Sequence, residues 1–207
     1  MSTLQTVLSS LIIAAAGTGM FATVTHGFQA YTSEGLLRVS IQQAPRSVPA
    51  VPMQAANGHL INMAQLRGRW LVAGFMYTRC PTLCSVQGSG FAQLRAALRD
   101  AIAQHQVSLV SISFDPRHDT PAALSNYQQR YGAVTDGWLA MRPTNRDGLQ
   151  TLLEVFGVKA IPDGLGGFEH NAAFNLINPE GQLVAILNWD DPLAAARHVL
   201  AQLHQDP

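Results

Sequence analysis

Cys80 and Cys84 are the only cysteines of the 207-residue chain, separated by Pro81, Thr82 and Leu83. On a helix this spacing puts both thiols on one face, a turn apart, close enough to share a ligand or form a disulfide. A disulfide there would close almost no loop, so the pair reads as functional rather than as a staple. The apolar run from Trp70 to Tyr77 precedes it, and Pro81 suits the first position of a helix. A thiol at such a strand-to-helix junction faces unpaired N–H groups and the positive end of the helix dipole, which favour the thiolate. Arg79 adds a neighbouring positive charge. Thiolate character serves two chemistries equally, attack on a disulfide and capture of a soft ion such as Cu(I).

Two features favour metal. Disulfide oxidoreductases of the thioredoxin type use CxxC, and the extra residue here widens the pair to a full turn. A generic thioredoxin-like enzyme also carries a cis-proline just before the strand facing its cysteines, where this chain has His170 and no proline nearer upstream than Pro162. A neutral imidazole with two thiolates makes a three-coordinate Cu(I) site. Of the seven histidines, His118 is the competitor, in the loop after the second strand and at the same sheet edge as Cys80. Asp115 lies at the end of that strand and points toward the same crevice, either to orient a ligand or to open the turn at Pro116.

The elements that position these residues are legible as periodicity. Trp70–Tyr77 and Val107–Phe114 are apolar runs of strand length, joined by helical spacing through Phe91, Leu94, Leu98 and Ala101 to about His105, so they form a βαβ unit. Thr120-Pro121 opens a helix running to Tyr131, Trp138–Met141 is a strand, and Asp147–Phe156 is a helix stopped by Gly157. Residues Ile161–Glu169, rich in glycine, read as a flexible loop. Ala172–Ile177 and Leu183–Leu187 form an antiparallel hairpin around Asn178–Gly181, and Pro192–His204 is the last helix. A further hairpin turns at Asn57-Gly58. This order predicts an α/β, thioredoxin-like fold, a mixed central sheet flanked by helices.

No Lys, Arg, Asp or Glu precedes Glu34, and Leu4–Val24 is apolar for nearly its whole length, long enough to span a bilayer. No cationic start or small-x-small site marks a cleaved signal, so the segment reads as a retained anchor. The expected organisation is a membrane anchor over 1–30, a juxtamembrane linker over 31–47, a short stretch followed by an extended part with Pro45 near its end, and a thioredoxin-like domain over 48–207. Net charge is zero and there is no basic run, which argues against nucleic acid as a partner.

Three motifs in order, Tyr77-Thr78-Arg79-Cys80-Pro81-Thr82-Leu83-Cys84, Ser113-Phe114-Asp115-Pro116-Arg117-His118-Asp119-Thr120-Pro121, and His170 followed by Leu176–Gly181, resemble the Sco/SenC/PrrC family of copper chaperones. The likeness covers the domain from about residue 48. It implies that Cys80, Cys84 and His170 bind copper, as Cu(I) and in some states Cu(II), with Asp115 at an acidic position beside the site. It implies a role in assembling the copper A centre of cytochrome c oxidase, with the copper-bearing oxidase subunit as partner and a copper donor chaperone or a thioredoxin-like reductant upstream. Together with the anchor it points to a single-pass protein of a bacterial inner membrane, its domain in the periplasm. Some members act mainly as thiol-disulfide reductants, in which case Cys80 and Cys84 are a catalytic redox pair. Thr82 and Ser85 stand where members often carry an acidic residue and a proline, which keeps the reductase reading open.

Overall fold

The computed structural model describes residues 3–25, 27–28, 30–80, 83–132 and 137–205, with residues 83–87 described by backbone alone. Residues 1–44 and 45–207 form two compact units. The first holds α1 (Thr3–Val24) and α2 (Ser33–Gln43). The 22 residues of α1 include no Asp, Glu, Lys or Arg, and at 1.5 Å per residue they extend about 33 Å, the thickness of a bilayer's hydrocarbon core. Among the described residues it is the one helix long and apolar enough to cross a membrane. Thr25 closes it, its hydroxyl donating to the Phe21 carbonyl at 2.7 Å and accepting from Phe28 N–H at 3.1 Å.

Most of the juxtamembrane stretch is helical. Thr32 caps α2 by accepting from Gly35 N–H, and Glu34 pairs with Arg38 one turn on at 2.8 Å. Capping, an acid in the first turn and an i,i+4 ion pair outweigh the proline-rich context that follows.

The second unit begins at β1 (Arg46–Ser47), which pairs antiparallel with the last strand, so the sheet opens just before residue 48. β2 (Pro52–Ala55) and β3 (Leu60–Asn62) form the expected hairpin, with Gly58 at φ 84° supplying the left-handed turn. A 3-10 turn over Met63–Leu66 leads to β4 (Trp70–Met76), buried at all seven positions. The crossover to β5 (Val107–Ser113) is helical, in two pieces, α3 (Leu83–Ala97) and α4 (Arg99–Ala103). α5 (Pro121–Arg130) starts as the sequence predicts, with Thr120 accepting from Ala123 N–H and proline at the first turn. β6 (Trp138–Pro143) and α6 (Arg146–Phe156) follow, the helix ending at Gly157 with φ 65°.

The stretch expected as a flexible loop is a small antiparallel ribbon instead, β7 (Ala160–Pro162) paired with β8 (Phe168–His170). Asp163 builds its tip, Oδ1 accepting from Leu165 N–H at 2.7 Å and Gly167 N–H at 2.9 Å. β9 (Phe174–Ile177), β10 (Gln182–Leu187) and α7 (Pro192–Leu203) complete the unit.

The main sheet runs β1-β10-β9-β4-β5-β6-β2-β3, with the ribbon separate. β4, β5 and β6 are parallel and β9 lies antiparallel on β4, which gives the mixed sheet of a thioredoxin-like fold. Its core is aliphatic and aromatic, with Val72, Leu109, Val110 and Phe174 fully buried. The pairing Met76↔Ser113 makes β4 and β5 end level, so the loops that leave them emerge side by side at one sheet edge.

Candidate functional site

At that edge Tyr77 follows β4 and Phe114 follows β5, and Phe114 N–H extends the ladder to the Met76 carbonyl at 3.0 Å. The chain then turns tightly, Cys80 N–H donating to the Tyr77 carbonyl at 3.3 Å, and the Cys80 residue is 8% exposed. Cys84 lies in α3. Its side chain, and the expected first helical position at Pro81, are outside the described residues, as is Thr82.

A buried carboxylate holds this loop. Asp119 has no solvent exposure and accepts from Thr78 N–H at 3.1 Å, Thr78 Oγ1 at 2.6 Å and Ser113 Oγ at 2.6 Å. Thr78 is two residues before Cys80, so one acid joins the exits of β4 and β5 directly beneath the thiol loop. Burial raises the Asp119 pKa above the usual carboxylate value, and the hydrogen bonds from Ser113 and Thr78 oppose that shift.

Asp115, which the sequence places in the crevice, is 5% exposed and bonded to two neighbours. Arg79 Nη2 donates to its Oδ2 at 2.9 Å, and His118 Nδ1 lies 2.9 Å from the same carboxylate. Arg79 also reaches His118 Nδ1 at 2.9 Å. The hydrogen bond to Asp115 is the main cause that raises the Arg79 pKa. The charge expected to favour the Cys80 thiolate is therefore held on Asp115, and His118, the competing histidine, is tied into the same cluster.

His170 ends β8 within a group of aromatic rings. Its ring centroid lies 4.9 Å from that of Phe114 and 6.1 Å from that of Tyr77, both edge-on. Phe168 packs on the same two rings at 5.3 Å, and its N–H donates to Tyr77 Oη at 3.3 Å. Tyr77, three residues before Cys80, thus ties the ribbon carrying His170 to the loop carrying the thiol. Burial lowers the His170 pKa below its ordinary 6.5, and the hydrogen bond to Asn171 opposes that shift. Nδ1 sits 3.1 Å from the Asn171 carbonyl, which only accepts, so Nδ1 carries the proton and the neutral ring has its lone pair on Nε2. That tautomer suits a soft metal ion. Sequence reasoning misses Asp119 and the aromatic group. The one available signal is the second carboxylate in Asp115-Pro116-Arg117-His118-Asp119.

The SCO1/SenC family model matches residues 43–205. The chain belongs to the SCO1/SenC family. A relative of this SCO1/SenC protein from Stutzerimonas stutzeri, named for copper binding, is 28% identical over 162 residues, covering 76% of this chain and 77% of its own length. Among solved structures, a SCO1/SenC family lipoprotein of Bacillus anthracis superposes with a TM-score of 0.68 at 21% identity over 77% of this chain and 97% of that one. Yeast Sco1 with copper bound gives 0.62 at 19% identity over 77% and 90%. These similarities place the mixed sheet and its flanking helices in the fold shared by the SCO1/SenC structures.

Proposed function

We propose that this SCO1/SenC protein takes up copper on Cys80, Cys84 and His170 and passes it, by ligand exchange, toward the copper A centre of cytochrome c oxidase. The state of His170 carries the reading. Burial beside Tyr77 and Phe114 favours the neutral imidazole, and the hydrogen bond that Nδ1–H donates to the Asn171 carbonyl leaves Nε2 as the donor nitrogen. Two thiolates and one imidazole suit Cu(I), and the copper-binding relatives support that cargo. Asp115 is the acidic residue beside the site, holding Arg79 and His118 rather than binding metal. The apolar 22-residue α1 supports a membrane anchor, with the second unit in the periplasm of a bacterium. The partners on this reading are the copper-bearing oxidase subunit and an upstream copper donor.

Anaerobic Cu(I) titration of the reduced full chain tests this. One tight ion per chain is expected, and His170→Ala should weaken it by more than the roughly 10–100-fold typical of losing an outer-shell partner. Unchanged affinity in that variant removes His170 from the site.

Thr82 and Ser85, which depart from the family's usual residues, favour a second reading as a thiol-disulfide reductant. Cys80 thiolate attacks a client disulfide, one client thiolate leaves, and Cys84 then displaces the second, so two client thiols form as Cys80 and Cys84 become a disulfide. This activity should survive His170→Ala and vanish with Cys80→Ser.

A further inference from the structure

Beside the site lies a groove of about 690 Å³. Its wall nearest the site is Phe114, Asp115, His118 and Phe168; its far side is the end of β6 and the first turn of α6, with Leu60 at the β3 edge. Three arginines line it, Arg117, Arg142 and Arg146. Arg142 is fixed by neutral acceptors, Nε and Nη2 on Gln54 Oε1 at 3.2 and 2.8 Å, and Nη1 on the Pro116 carbonyl at 2.6 Å. Among the described residues none of the three makes an ion pair. Asp115 is the only acid in the lining, and Arg79 and His118 already hold it. The groove is therefore lined by three arginines and, apart from the already paired Asp115, no acid.

Its rim is apolar. Leu60 is 72% exposed, and Leu149, Pro162 and Phe168 add carbon surface. Arginines and apolar side chains in one groove match a chain that carries carboxylates and apolar side chains in turn, and the shared residue Phe114, which packs on His170, would bring whatever binds there beside the aromatic group of the site. Charge complementarity chooses among occupants.

We propose that this groove docks an extended acidic polypeptide segment of the protein that exchanges metal with the site, its carboxylates on Arg117, Arg142 and Arg146 and its apolar side chains on Leu60 and Leu149. The inference rests on the metal-carrier reading, and its test separates the two.

A fluorescein-labelled peptide alternating Glu and Leu is titrated into the full chain in neutral detergent and followed by anisotropy, with Gln/Leu and Lys/Leu peptides and anionic phospholipid vesicles as controls. Binding of the Glu/Leu peptide alone, falling with salt and weakened by about tenfold or more in Arg117→Glu/Arg146→Glu, supports the proposal. Arg117→Gln/Arg146→Gln should show an intermediate loss, which keeps the test readable if the charge-reversed protein folds poorly. Cu(I) titration of the same variants should match the parent, because both arginines line the groove and none of the proposed ligands does. No peptide binding, equal binding of the Gln or Lys peptide, binding unchanged by the substitutions, or a preference for the vesicles each overturns the docking site while leaving the copper reading intact. Loss of copper uptake in the glutamine variant also overturns it, since the arginines would then belong to the metal site's own framework.

Discussion

Asp119 shows how one side chain sets the geometry of a loop it does not belong to. Its carboxylate receives the Thr78 N–H, the Thr78 hydroxyl and the Ser113 hydroxyl in a fully buried position. Asp119→Ala strands those donors and should cost about 2–4 kcal/mol in urea unfolding. Because burial raises its pKa above 3.8, the folded state favours the protonated acid. That contribution is fully present below the unfolded pKa and declines as pH rises through the folded one, so Asp119→Asn should show a flatter stability profile upward from about pH 4. His170 behaves oppositely. Its folded pKa is below 6.5, so its contribution is present above that value and is lost as pH falls toward and through the folded pKa. Metal-free protein should therefore lose stability as pH falls below about 6.5, and His170→Gln should lessen that loss. Residue type and spacing suffice to select Cys80, Cys84, His170 and Asp115 for attention. They do not select Asp119, because an acid before Thr-Pro reads as a turn residue and its burial depends on Thr78, 41 positions away.

At the scale of elements, α3 is held close to its neighbours by glycine. A Cβ on Gly88 would stand 2.5 Å from the Tyr131 ring at the end of α5, and one on Gly90 would stand 3.2 Å from Phe174. Gly88→Ala should therefore overpack this contact and lower stability by about 1–3 kcal/mol in thermal unfolding, more than an alanine at an open helical position would gain from helix propensity. The sequence makes β4 and β5 plain, since seven consecutive buried residues leave an unbroken apolar run in each. It hides the β7/β8 ribbon, whose strands are three residues long and whose glycines suggest only a loop. It also hides α2, where the prolines after it argue for extension and the contrary signals, Thr32, Glu34 and Arg38, are individually worth only tenths to about 1 kcal/mol.

For the molecule as a whole, the boundary of the second unit is itself testable. Arg46 and Ser47 pair with Leu183 and Gln182, Arg46 Nη1 donates to the Val155 carbonyl at 3.1 Å, and Val48 N–H reaches the Gly181 carbonyl at 2.9 Å. A chain starting at residue 49 should be less stable in urea than one starting at 45 by about 2 kcal/mol, the sum of a few net hydrogen bonds. The alternation of strands and helices makes the overall plan readable without coordinates, but this short edge strand is not, because two residues between prolines carry no periodicity. A last consequence concerns the order in which a bound ion would lose its ligands. His170 sits on a ribbon outside the hydrogen-bond ladder of the main sheet, whereas Cys80 follows directly from that sheet's central strand. The ribbon can open at less free energy than β4 can, so its amides should exchange with deuterium sooner than those of Phe174–Ile177. On the proposed ligand set, detachment would then begin at the imidazole and leave the ion held by the two sulfurs.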